Sequence, residues 1–65
     1  MPNPITRAKL YQERAAECVE LSTLAATEET RREYDHLAAG YLKLAMAELK
    51  LAAEIEANNE KAMKG

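Results

Sequence analysis

The residues best suited to chemistry in this 65-residue chain are Glu33 and His36. Glu-x-x-His on a helix is the spacing with which ferritin-like bundles aim a carboxylate and an imidazole at one metal from adjacent turns. A working di-iron site needs that pair to face a core and further carboxylates to join it. Here His36 lies roughly 135° from the centre of its helix's apolar stripe and Glu33 about 75° off, so both read as flanking or solvated positions. Glu20 is a third candidate, because a hairpin would set it opposite His36. The expectation is no metal site, with Glu33, His36 and Glu20 kept as the residues a metal would use. Cys18 is the one cysteine, so it closes no intrachain bridge, and it sits in an apolar stripe where a thiol acts as a small hydrophobe. A redox contact between subunits would need a neighbour that stabilises the thiolate, and Arg14, one turn away, is the candidate. There is no Ser/His/Asp set, no Cys/His pairing at motif spacing, no glycine-rich phosphate loop and no zinc spacing. The chain is therefore not expected to be an enzyme or to carry a cofactor.

Composition says what must position these residues. Thirteen alanines, eight leucines and ten glutamates, against two glycines, two prolines and no phenylalanine or tryptophan, make a helix composition. Nine basic and eleven acidic residues give a net charge of −2, with the basic ones scattered rather than massed, which disfavours nucleic-acid binding. No uncharged run approaches the roughly 20 apolar residues of a membrane span. The opening Met-Pro-Asn-Pro lacks a basic region leading into an apolar one, so it does not read as a signal peptide. With the lone cysteine, this points to the cytoplasm.

Two helices are expected within one domain spanning residues 1–65. Asn3 can cap and Pro4 suits the first helical position, so helix 1 should run over about 4–26. Leu10, Tyr11, Ala15, Cys18, Val19, Leu21 and Ala25 share one broad face of it, while Arg7, Glu13 and Glu20 look away. A second stripe follows through Tyr34, Leu37, Ala38, Tyr41, Leu44, Ala45, Glu48, Leu51, Ala52 and Ile55. On a continuous helix the two stripes would point roughly 165° apart, so a turn is expected at about 27–29, with Thr27 capping a helix 2 over about 28–63. Glu28 and Glu29 in its first turn suit the helix dipole.

Folded near residue 27, the hairpin should pair positions whose numbers add to about 55: Tyr11 with Leu44, Cys18 with Leu37, and Leu21 with Tyr34. Arg14 should lie over the ring of Tyr41. Helix 2 overhangs, leaving Leu51, Ile55 and Met63 with no cover from their own chain. Gly40 costs about 1 kcal/mol relative to alanine in a helix interior, a cost that marks either a close backbone approach or an exposed site. Glu54, Glu56 and Glu60 form a solvated face or an acidic docking strip.

Tyr11, Arg14, Ala15, Cys18 and Leu21, followed by Arg31, Tyr34, Leu37, Ala38, Tyr41, Leu44 and Ala45, resemble the Y-x-x-R-A-x-x-C-x-x-L and R-x-x-Y-x-x-L-A-x-x-Y/W-x-x-L-A pattern of short helical-hairpin proteins of alphaproteobacterial type. The likeness covers residues 11–45. It departs at the turn, where Glu28-Glu29 stands for a frequent Asp-Pro, and at Ser22, which stands for alanine. The resemblance implies a helical hairpin and a bacterial source, and it brings no activity, cofactor or catalytic residue with it.

The fold class expected is all-α: an antiparallel two-helix hairpin that completes a four-helix bundle by dimerisation or by docking on a partner. Chains this short seldom close a sufficient core alone, and with one cysteine and one histidine the remaining reinforcement is association. The function expected is a non-enzymatic interaction module or accessory subunit. It would act as a homo-oligomer or bind a larger protein through Tyr41, Leu44, Leu51, Ile55 and Met63, without nucleic acid or membrane span. A ferritin-like metal bundle and a regulator occupying a partner's groove are the alternatives.

Overall fold

The computed structural model of the protein describes residues 3–64, with side chains described over 3–60. Helix α1 spans Pro4–Leu24 and helix α2 spans Glu28–Lys64, and the two pack against each other. The shape is a rod, 58 × 17 × 14 Å, with a Cα radius of gyration of 16.2 Å. A compact chain of this length would have a radius of about 11 Å.

Both helix starts are built from their own residues. The Asn3 side chain accepts a hydrogen bond from the Thr6 amide at 2.8 Å, and Pro4 follows it in the first turn. Thr27 does the same for α2: its hydroxyl accepts from the Thr30 amide at 3.1 Å and donates to the Thr30 hydroxyl at 2.9 Å. Glu28 and Glu29 occupy the first turn, where carboxylates complement unpaired amides. Glu28 also pairs with Arg31 at 3.5 Å and with Arg32 at 3.7 Å.

The first helix stops at Leu24, two residues short of the expected 26, and it stops without glycine or proline. Ala25 turns to an extended conformation, φ −64° and ψ 135°, while its amide bonds back to the Ser22 carbonyl at 3.2 Å. Ser22 fastens this end of the helix. Its buried hydroxyl reaches across to Asp35 Oδ1 at 2.6 Å, with the Arg31 carbonyl at 3.4 Å as a more distant second acceptor. One hydroxyl proton serves one acceptor at a time, so the shorter bond to Asp35 ties the end of α1 to the start of α2.

The seam between the helices runs through Ala8, Tyr11, Ala15, Cys18 and Ser22 on α1 and Ala25 just after it, and through Tyr34, Ala38, Tyr41, Ala45, Glu48 and Ala52 on α2. Steps of four and three alternate along both, which is the 3.5-residue period of helices wound about each other. Small side chains recur at every seventh place, Ala8, Ala15 and Ser22 against Ala38, Ala45 and Ala52. Small residues at a contact let helix axes approach closely. Among the described residues no large side chain is fully buried.

This corrects the expected cross-hairpin pairs. Leu44, Leu37 and Leu21 do not fill the seam, and each remains about half exposed, Leu44 at 47%. On α2 the seam holds Ala38, Tyr41 and Ala45 instead, and on α1 it holds Ser22 in place of Leu21. Tyr11 stacks on Tyr41, with ring centroids 6.2 Å apart and planes at 26°. Leu10 and Val19, expected on the core face of α1, are likewise exposed. Arg7 was expected to look away, yet its Nε lies 3.0 Å from Glu48 Oε2 across the hairpin.

Candidate protein-interaction face

A seam of alanines pushes the large residues outward. Twelve large hydrophobic side chains are exposed among the described residues, including Leu24 at 80% and Met46 at 70%. With a period of 3.5, Leu37, Leu44 and Leu51 recur every seven residues and form one row beside the seam on α2. Leu21 lies in the matching row of α1, and Leu10 and Leu24 stand one step further out on the same side. In an antiparallel pair these rows border the same face of the hairpin, on either side of the stacked Tyr11 and Tyr41. Leu42 and Leu49 line the opposite face with Ile5 and Val19.

The leucine face carries its own fixtures. The Arg14 guanidinium carbon lies 6.0 Å from the centre of the Tyr41 ring, at the reach of a cation–π contact, so Arg14, which shares the row of Leu21, stands beside the stacked tyrosines. A shallow hollow opens beside it, lined by His36, Leu37, Gly40, Tyr41 and Leu44. Gly40 sets its floor, and a Cβ built there would meet nothing within 4 Å. The glycine therefore answers no crowding within its own chain.

Of the interface residues read from sequence, Leu44, Leu51 and Ile55 are exposed and Tyr41 is half-buried. The side chain of Met63 lies outside the described residues. Arg7 and Glu48 are the pair the sequence reading missed. Glu48 Oε2 is buried, and no donor among the described residues is aligned on it for a hydrogen bond, so its compensation there is the ionic approach of Arg7. The signal for that pair was a glutamate in the middle of an apolar stripe, with an arginine at the complementary register.

The metal candidates do not converge. Glu20, Glu33 and His36 are all exposed, and among the described residues no three His, Cys, Asp or Glu side chains are grouped to hold an ion. Glu33 and His36 border an open hollow with Glu28, Glu29 and Arg32, whose guanidinium opposes a cation there. Cys18 is a free thiol buried in the seam. No helix among the described residues is long and apolar enough to cross a membrane.

The geometry thus defines a class: an all-helical antiparallel hairpin with a narrow seam and broad apolar flanks. Compared with protein-family models, with curated proteins and with solved structures, the chain gives no match. Its own surface is what a functional reading rests on.

Proposed function

We propose that this protein is a non-enzymatic interaction module, a helical hairpin that completes its hydrophobic core by laying its leucine face on another helical surface. That surface belongs to a second copy or to a larger subunit. The observation that carries the reading is the inversion of sizes, with alanines, tyrosines and a cysteine inside the seam while the leucines stand in water. Area supports it. A folded monomer of 7.2 kDa is expected to expose about 4,100 Å². This chain exposes 5363 Å², an excess of about 1,200 Å², and a stable interface removes about 800 Å² from each partner. A cytoplasmic location belongs to the same proposal, supported by the unpaired thiol of Cys18.

The test is Leu44→Asp and Leu51→Asp, each followed by light scattering and circular dichroism on one sample. Both should reduce the assembly's mass and its helicity together. Unchanged mass and unchanged melting in both variants would refute the proposal.

A further inference from the structure

On the 3.5-residue period the side chains pointing straight away from the seam are Thr6, Glu13 and Glu20 on α1, and Glu29, His36, Lys43, Lys50 and Ala57 on α2. All are exposed, and Glu13, Glu20, His36, Lys43 and Lys50 have no hydrogen-bond or ionic partner among the described residues. Beyond Glu29 at its start, the α2 row is basic at Lys43 and Lys50, whereas the α1 row is acidic at Glu13 and Glu20, and both rows run beside the leucine face.

We propose that the occupant of the leucine face is a second copy of this chain, related by a two-fold axis along the hairpin so that α1 of each copy lies on α2 of the other. The proposal rests on the interaction-module reading and names its partner. A closed two-fold interface uses the same patch twice, so the patch must complement itself. An axis along the hairpin meets that demand. It puts both turns at one end, and the register that pairs the helices within a chain then holds between chains. Glu13 falls opposite Lys43 of the second copy and Glu20 opposite its His36, each contact occurring twice. All neighbouring helices run antiparallel, as in a four-helix bundle. An axis across the hairpin would lay α1 on α1, acidic row on acidic row, and α2 on α2, basic row on basic row. Like charges placed together select against that arrangement.

The test needs two double variants of the full chain, His36→Glu with Lys43→Glu, and Glu13→Lys with Glu20→Lys. These residues point away from the seam, so the hairpin itself is left intact. Sedimentation or native mass spectrometry should give the wild type twice the 7.2 kDa of one chain. Each double variant alone should associate at least roughly tenfold more weakly in low salt. Mixed in equal amounts, they should form a one-to-one heterodimer, because no contact then sets like charge on like charge. A wild type that remains a single chain at several hundred micromolar overturns the proposal. So does a dimer that tolerates both reversals, or a mixture that regains nothing. Leu44→Asp, measured in parallel, separates the two levels. If it dissociates a dimer that the charge reversals leave alone, the orientation is wrong and the interaction module stands. If it leaves the wild-type dimer intact, the leucine face itself is wrong.

Discussion

Replacing Ala45 by leucine tests the inverted packing directly. Ala45 is 2% exposed and sits in the seam among the small residues that bring the helices together. Three additional carbons there find no vacancy. They must displace the facing side chains or push α1 outward, and overpacking of this kind costs about 1–3 kcal/mol. A domain of this length holds only roughly 3–10 kcal/mol in total, so the loss is a large share. At about 4–8 °C per kcal/mol in small domains, the melting temperature should fall by about 5–20 °C. The assay is thermal unfolding followed at 222 nm, with chain concentration held fixed because any association would shift the observed midpoint. The neighbouring Leu44→Ala is the comparison. It removes the same atoms from a half-exposed site and should shorten association while leaving the seam as it is. By composition alone the expectation runs the other way, since a leucine gained counts as core and a leucine lost counts as core removed. If Ala45→Leu melts within two degrees of the wild type, the helices are not held close at that level, and the account of the seam fails.

Four further changes probe the supports of the hairpin. Ser22→Ala removes the 2.6 Å bond to Asp35, and because Asp35 stays exposed to water the loss should be about 1 kcal/mol, read by urea titration. Thr27→Ala removes the cap of α2 and should cost about 1 kcal/mol, with faster amide exchange over residues 28–31 as its local signature. Arg7→Ala strips the ionic contact from a buried carboxylate oxygen and should destabilise, while the Arg7→Ala, Glu48→Leu double variant should recover the loss, since a paired charge can be exchanged for an apolar residue but not halved. Equilibrium dialysis against iron, manganese or zinc should show no binding tighter than micromolar, and a tight, stoichiometric ion lost in His36→Ala would reinstate Glu33 and His36 as ligands.

The helices, their caps and the pairing register were legible in the chain because each has a local cause: Asn3 before Pro4, Thr27 before two glutamates, and a phase break between two stripes. The choice of inner line within each stripe was not. A stripe broad enough to hold Leu37, Ala38, Tyr41, Leu44 and Ala45 tells only that this side is apolar, and the habit of placing the largest residues at its centre put the leucines in the seam. The finer signal was a small residue at every seventh position on both helices, which specifies close approach regardless of the neighbours' hydrophobicity. Ser22 and Arg7 were missed for a related reason. Each acts through a partner on the other helix, Asp35 or Glu48, and a periodicity read along one helix carries no information about the far side. Of the candidate face, the exposure of Leu51 and Ile55 was expected from the sequence, whereas that of Leu21, Leu37 and Leu44 followed only once the seam had set the rotation of both helices.

A seam drawn almost wholly from small residues has an evolutionary corollary. The hairpin zips through alanine, serine and tyrosine, while the leucines and the outer charges stand on a separate set of positions. Outer side chains can drift while the zipper keeps its register. A lineage of such hairpins would hold its alanine heptads nearly fixed and scatter its variation across the rows outside them.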